Sequence, residues 1–223
     1  RQIAMKLLLV TNPAAGKGKG LDVSEQAAQF LKSNDIEPVV TVSEYPGHVN
    51  ELMRTVDVDR YDGIVAVGGD GTLFELINGL LGTHETLSIP LGQIPVGTGN
   101  SFIKDMGIQT PDDALKKILS RNTKPVDVGF FSYQGGEHYF INILGFGFVA
   151  NVAHRARKYK MFGGLSYIFG VLEEVIILSS THLDITVDGK TYHRENTFVE
   201  ISNSTCTGGD MIMAPDAKID DGY

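Results

Sequence analysis

The sequence predicts an open, mostly parallel α/β domain followed by a β-rich domain. Three observations carry this. Short apolar runs alternate with helical patterns through the first half, those runs are continuous in apolar character, and beyond Pro125 helical patterns give way to strand-like runs joined by turns. Continuous β-branched runs are strands buried on both faces, as in parallel sheets covered by helices.

In order, Lys6–Val10 (KLLLV) is a strand closed by Asn12 and Pro13, and from Leu21 the positions Val23, Ala27, Phe30 and Leu31 recur at helix spacing. Val39–Val42 reads as a second strand, Val49–Val56 as a helix and Gly63–Val67 (GIVAV) as a third strand. Leu73, Leu76, Ile77 and Leu80 mark the next helix, Leu91–Val96 a strand and Pro111–Leu119 a helix. The later strands are Val126–Tyr133, Tyr139–Leu144, Leu183–Val187 and Thr197–Ile201, with Asp188-Gly189 as a turn. Two domains are expected, 1–125 and 126–223. The second reads as unfinished, because Asp221-Gly222-Tyr223 falls within continuing structure.

The 223 residues carry 19 Lys+Arg against 27 Asp+Glu, a formal charge of −8, which argues against capture of a nucleic-acid backbone. At 42% hydrophobic and 21% charged the chain is too apolar for disorder. The single cysteine, Cys206, cannot form an internal disulfide and suits a reducing compartment. No signal peptide is visible. The longest apolar stretch, Tyr167–Leu178, is interrupted by Glu173 and Glu174 and is shorter than the ~20 residues of a span, so a soluble chain is expected. The histidines show no metal-ligand spacing.

Ligands of such sheets sit beyond the carboxyl ends of the strands, and the loops expected there are glycine-rich. In Val65–Glu75 (VAVGGDGTLFE) a strand opens into Gly68-Gly69-Asp70-Gly71-Thr72 and directly into a helix. Close backbone approach, free N–H groups and a helix dipole make this a phosphate cradle. The charge of Asp70 repels phosphate, so it either handles a magnesium ion or an attacking hydroxyl, or it serves as a helix N-cap. Ile94–Asn100 (IPVGTGN) is a second loop, with Gly97, Thr98 and Gly99 before Asn100, whose amide suits a sugar or phosphate oxygen. Thr11–Gly20 (TNPAAGKGKG) is a third. It matches neither the Walker A nor the Rossmann pattern, and its Lys17 and Lys19 either meet phosphates or are simply solvated. Together the three loops imply a nucleotide site.

NPAAGKGKG, GGDGTLFELINGL and PVGTGN, in this order and spacing, resemble the catalytic domain of the diacylglycerol kinase, sphingosine kinase and ceramide kinase family, bacterial lipid kinases included. NILGFGFVANV (142–152) and GGDMIMAPDAKIDDG (208–222) look like that family's second-domain segments. GGDGT alone is shared with NAD kinases and more distantly with phosphofructokinases; the combination is specific.

The resemblance implies an NAD kinase/diacylglycerol kinase-like fold, with ATP between an α/β domain and a β-sandwich domain and its γ-phosphoryl group passing to a lipid hydroxyl. ATP and Mg2+ are the implied cofactors. Asn12, Pro13, Ala14, Ala15, Gly16, Ser43, Gly68, Gly69, Asp70, Gly71, Thr72 and Thr98 fall on nucleotide-contacting positions. Asp70 is implied as the residue that positions magnesium and deprotonates the acceptor, with Glu75 supporting it unless it is a plain exposed glutamate. A structural magnesium maps to Asp221 with the carbonyls of Lys218 and Tyr223, although Asp220-Asp221-Gly222 also reads as a charged turn. A glutamate base of the bacterial members falls beyond residue 223.

Ser101 stands where many relatives have aspartate. On the same resemblance Ala153 occupies the position of the sphingosine kinases' head-group aspartate, with Asn151 nearby, which weakens sphingosine and favours a diacylglycerol-like acceptor or another glycerolipid or sphingolipid. His154–Lys160 (HRARKYK), followed by Met161, Phe162, Leu165, Tyr167, Ile168 and Phe169, fits either a transient membrane-surface contact or a solvated helix end. The expected location is the cytoplasm, and both a peripheral position at a membrane surface and a homodimer stay open. The rival readings are an NAD kinase-like phosphotransferase and a non-catalytic nucleotide-binding regulatory module.

Overall fold

The computed structural model describes residues 5–97, 99–147, 180–208 and 211–223. Contacts divide the chain into two compact units, Arg1–Asn142 with Asn203–Tyr223, and Ile143–Ser202.

The first unit is built on β1 (Met5–Thr11), β2 (Ile36–Val42), β3 (Gly63–Gly68) and β4 (Leu91–Pro95). All pairings are parallel, in the order β2-β1-β3-β4. β3 is buried along its whole length, as its unbroken apolar run requires. The connections are a short turn, α1 (Ala15–Gly18), then α2 (Gly20–Lys32), α3 (His48–Thr55), α4 (Asp70–Leu81) and α5 (Pro111–Ser120). α2 buries Ala27 and Leu31, α3 Val49 and Met53, and α4 Leu73, Leu76 and Leu80. Leu9, Leu31, Leu76 and Leu80 are wholly excluded from solvent, each burial stabilising by about 1.5–3 kcal/mol. α5 starts with a capping box. Thr110 Oγ1 accepts the Asp113 N–H at 3.2 Å, and Asp113 Oδ2 accepts the Thr110 N–H at 3.0 Å.

β5 (Gly129–Tyr133) and β6 (Gly136–Phe140) form a hairpin against α4. The link is Asn78, buried in the middle of α4. Its Nδ2 donates to the Tyr139 carbonyl and its Oδ1 accepts the Tyr139 N–H, both at 2.9 Å. Past the second unit the chain returns through β11 (Cys206–Thr207) and β12 (Met211–Ile212). The exit and return are pinned together. Asn203 N–H and Ser204 N–H donate to the Asn142 carbonyl at 2.8 and 3.2 Å, and buried Asn203 Nδ2 bonds the carbonyls of Asp127 (2.9 Å) and Ile141 (2.8 Å). The Thr205 N–H donates to Asp105 Oδ2 at 2.8 Å, and its hydroxyl to Asp105 Oδ1.

In the second unit β7 (Ile143–Gly147) pairs antiparallel with β10 (Phe198–Ser202), and β8 (Thr181–Val187) with β9 (Lys190–Asn196). Asp188 (φ 50°) and Gly189 (φ 77°) make the expected tight turn.

The α/β-then-β order matches the expectation, with local differences. β2 begins three residues before the expected Val39, at Ile36; Pro38 breaks the apolar run, yet an edge strand tolerates a proline. Tyr139–Leu144 is not one strand but is divided between β6 and β7, because the Asn142 carbonyl is taken by residues 203 and 204. The expected strand from Val126 starts only at Gly129, since the Asp127 N–H bonds the Ile219 carbonyl at 2.7 Å. β9 escaped detection because it is polar and exposed over almost its whole length. Among the described residues no helix is long and apolar enough to cross a membrane.

Candidate functional site

The chain runs from β1 to β2 on one side of β1 and later to β3 on the other, so β1 and β3 flank a topological switch point, where open α/β sheets place their ligands. The carboxyl ends are level: Thr11 lies opposite both Val42 and Val67, and Gly68 opposite Pro95. The pairing runs one residue beyond each strand, with Ser43 N–H donating to the Thr11 carbonyl (2.9 Å), Asn12 N–H to Val67 (3.0 Å) and Val96 N–H to Gly68 (3.2 Å). Ser43, Asn12, Gly69 and Val96 therefore line one edge.

The loop after β1 is held from within. Asn12 Oδ1 accepts the Ala14 N–H at 3.0 Å, and Asn12 Nδ2 donates to Thr72 Oγ1, near the start of α4, at 3.2 Å. Gly16 (φ 58°), Lys17 (φ 62°) and Gly18 (φ 89°) are all left-handed, so α1 is a turn of unusual hand. That turn reaches the loop after β4: a Cβ on Gly16 would stand 2.8 Å from Val96 Cγ1 and 3.2 Å from the Gly97 nitrogen. The glycine loops after β1 and β4 thus touch, and two facing glycines, Gly16 and Gly97, permit it. Pro13, Ala14 and Ala15 complete the turn. Thr98 lies outside the described residues, as do Asn151, Ala153 and the basic and aromatic positions from His154 to Phe169.

The loop after β3, Gly68 to Thr72, opens α4. Gly69 is its N-cap in an extended conformation, and its carbonyl accepts the N–H groups of Thr72 (3.0 Å) and Leu73 (3.2 Å). The preceding first-turn amides have no acceptor within the helix, which begins at the carboxyl end of β3. Gly68 is needed there, because a Cβ on it would come within 2.3 Å of Thr72 Oγ1.

Asp70 is the first residue of α4, and its Oδ2 accepts the N–H of buried Ser101 at 2.8 Å. Burial pushes its carboxyl above the ordinary value of 3.8, against hydrogen bonds from Ser101, Asn142 and Phe102 that favour the charged form. Its Oδ1 is buried and has no hydrogen-bond partner among the described residues; the same holds for Asn100 Oδ1 and Gln93 Oε1. Asn100 Nδ2 donates to the Gly97 carbonyl at 2.9 Å and Gln93 Nε2 to the Gly68 carbonyl at 3.2 Å. Asn100 Oδ1 lies 3.5 Å from where a Cβ on Gly69 would be. Unpaired oxygens of a carboxylate and two amides around one loop suit a hard cation or a hydroxyl proton, and so they fit magnesium.

Glu75 sits further along α4, and its Oε1 accepts the Gly47 N–H at 3.1 Å. It thereby ties the loop that follows Ser43 to the helix that begins with Asp70. Ser43 itself is buried.

At the chain's last turn, Asp221 Oδ1 accepts the Tyr223 N–H at 3.2 Å, Asp127 Oδ2 accepts the Gly222 N–H at 2.8 Å, and Lys124 pairs with Asp220 at 2.8 Å. Lys218, Asp221 and Tyr223 are exposed. Among the described residues no group of three or more His, Cys, Asp or Glu could hold a metal ion. A cation at this turn therefore needs backbone carbonyls beside the one carboxylate, a donor set of the kind magnesium accepts when water completes it. Asp127, which organises this turn, carried no motif signal. Ser101 was visible only as a departure from the resemblance.

An open parallel sheet with glycine loops converging on its switch point, one of them opening an acid-headed helix, defines a phosphate-handling α/β protein. The family model described as "Diacylglycerol kinase catalytic domain" matches residues 6–131. A second, described as "YegS C-terminal NAD kinase beta sandwich-like domain", matches residues 142–223. The chain belongs to the diacylglycerol kinase catalytic-domain family. It is 30% identical over 186 residues to sphingosine kinase 1 of Arabidopsis thaliana, covering 79% of this chain and 38% of that protein. It is 29% identical over 220 residues to a diacylglycerol kinase of Bacillus subtilis, covering 96% and 70%. A solved diacylglycerol kinase structure from Bacillus anthracis superposes with a TM-score of 0.75 at 29% identity, over 100% of this chain and 72% of that one. The chain thus spans less than half the length of the plant relative and under three quarters of the bacterial ones.

Proposed function

We propose that the protein is an ATP-dependent lipid kinase that transfers the γ-phosphoryl group to a hydroxyl of a diacylglycerol-like lipid. The carrying observation is Asp70. A carboxylate at the head of α4, with one oxygen held by Ser101 and the other buried without a partner, stands beside loops whose amides suit phosphate. Phosphoryl transfer depends on in-line positioning and charge neutralisation more than on covalent chemistry. The amides of Gly16, Gly69, Gly71 and Gly97, with Asn12, Thr72, Thr98 and Asn100, bind and orient the triphosphate, and Ser43 closes the edge by β2. Asp70 Oδ1 receives the proton of the acceptor hydroxyl as its oxygen bonds the γ-phosphorus and the bond to the β-phosphate oxygen breaks, releasing ADP. Burial favours this step by making Asp70 a stronger base. Asp70 with Asn100 would hold a magnesium ion, which would supply charge neutralisation for the phosphates, and Asp221 with the carbonyls of Lys218 and Tyr223 would hold a second, structural ion.

On this reading residues 1–125 serve the nucleotide and 126–223 the lipid, a division supported by the junction of the two family models between 131 and 142. The diacylglycerol kinase names of the bacterial relatives support the acceptor. Such a substrate is met at a membrane surface. The test is incubation of the chain with labelled ATP and Mg2+, offered diacylglycerol, sphingosine, ceramide and NAD in turn. Labelled phosphatidic acid is expected. A labelled dinucleotide, or no product with any acceptor while ATP binds, overturns the proposal in favour of a dinucleotide kinase or a regulatory module.

A further inference from the structure

Between β2 and α3 lies a turn whose two aromatic rings none of the assigned roles uses. Tyr45 to His48 is closed by the His48 N–H donating to the Tyr45 carbonyl at 3.1 Å, with Gly47 left-handed at φ 91°. The turn brings the two rings face to face, centroids 4.5 Å apart and planes 7° from parallel.

Both rings are fixed. The Tyr45 hydroxyl donates to Glu51 Oε2 at 2.7 Å, and His48 Nδ1 accepts the Glu44 N–H at 3.0 Å, which leaves the proton of the neutral ring on Nε2. Yet Tyr45 is 48% exposed. A large aromatic ring, pinned at its hydroxyl and backed by a second ring, keeps a flat π-face in solvent that pays little entropy on contact.

Two anchors place this turn at the carboxyl edge of the sheet. Ser43, two residues earlier, bonds the Thr11 carbonyl next to Asn12, and Gly47 bonds Glu75 on the helix that Asp70 begins. The charge around it is negative, since Glu44 and Glu51 both act on the Tyr45 hydroxyl. That surrounding disfavours phosphate and suits an uncharged ring carrying amino hydrogens.

We propose that Tyr45, backed by His48, is the platform on which the base of the bound nucleotide stacks, with the carboxylates of its rim selecting an amino-bearing purine. This rests on the nucleotide reading above and assigns the base a place within it. Stacking of a base on an aromatic side chain is commonly worth a roughly five- to hundredfold change in affinity on truncation to alanine.

The experiment titrates the full chain and its Tyr45→Ala and Tyr45→Phe variants with ATP and with inorganic tripolyphosphate. The unaltered chain is expected to bind ATP more tightly than tripolyphosphate. Tyr45→Ala should lose that preference while keeping its tripolyphosphate affinity, which also shows the phosphate loops intact, and Tyr45→Phe should retain it. A Tyr45→Trp variant adds a direct readout, because the chain has no other tryptophan. Its emission should be quenched by ATP and left unchanged by tripolyphosphate. If ATP binds the unaltered chain but Tyr45→Ala keeps the preference, or the tryptophan ignores ATP, the platform is overturned while the nucleotide reading stands. If ATP does not bind at all, both fall.

Discussion

Replacing Asp70 separates its structural contribution from its chemical one. Its Oδ2 accepts the Ser101 N–H at 2.8 Å, and Ser101 is 2% exposed. A hydrogen bond to a charged acceptor is worth about 1.5–3 kcal/mol, and a buried donor deprived of one costs about 1–3 kcal/mol. Asp70→Ala should therefore be less stable than Asp70→Asn, which keeps an acceptor for Ser101, by about 1–3 kcal/mol. Against the unaltered chain, Asp70→Asn carries a pH signature. Burial raises the folded carboxyl above 3.8, so the folded chain keeps a proton over a range where the unfolded chain has lost it. Stability contributed by this group falls as pH rises through that range. Asp70→Asn removes the penalty, so its advantage should be absent below 3.8 and reach a plateau above the folded value. Phosphoryl transfer should fall by roughly 10²–10⁴-fold in both variants. The assays are urea unfolding from pH 3 to 8 and initial rates with labelled ATP. Equal stability of the two variants refutes the assigned Ser101 bond, and undiminished turnover in Asp70→Asn refutes the base.

Glu75→Ala, by releasing the Gly47 amide, should raise the KM for ATP several-fold with kcat little changed, whereas Glu75→Gln should restore it; equal KM values in all three forms would count against the tie. Gly16→Ala must place a methyl 2.8 Å from Val96 Cγ1 at a left-handed φ, so calorimetry should find ATP binding lost while far-UV dichroism persists. Asn203→Ala removes two side-chain hydrogen bonds in a buried setting and should lower stability by about 2–3 kcal/mol in urea unfolding. Asp221→Ala should reduce the rise in melting temperature on adding Mg2+; a rise equal to that of the unaltered chain would remove Asp221 from the last-turn role.

Legibility in the sequence followed the source of stability. Where burial on both faces fixes the strand, as in GIVAV, the apolar run alone located β3 and hence the loop it feeds. Where hydrogen bonds between distant residues decide, periodicity was silent: the break at Ile141–Asn142 is set by Asn203 and Ser204, some sixty positions away. The glycine loops could be located by composition alone, because glycine runs between a strand and a helix mark themselves. Their contact at Gly16 and Gly97 was not, since a left-handed Lys17 has no compositional mark. Glu75 could be placed on a helix face by spacing, but its bond to Gly47 required the fold. Tyr45 and His48 differ by three positions in a turn, a spacing that says nothing about stacking until the turn's hand is known.

The pinned junction at Asn142 and Asn203 has an evolutionary reading. An excursion whose two ends are stapled at a single carbonyl can be lengthened, shortened or exchanged without re-registering the scaffold that bears it. Under the proposed function, such a scaffold can trade one acceptor-recognising cassette for another while the phosphate-binding loops stay in place, and a chimera grafted at these two positions tests whether specificity travels with the excursion.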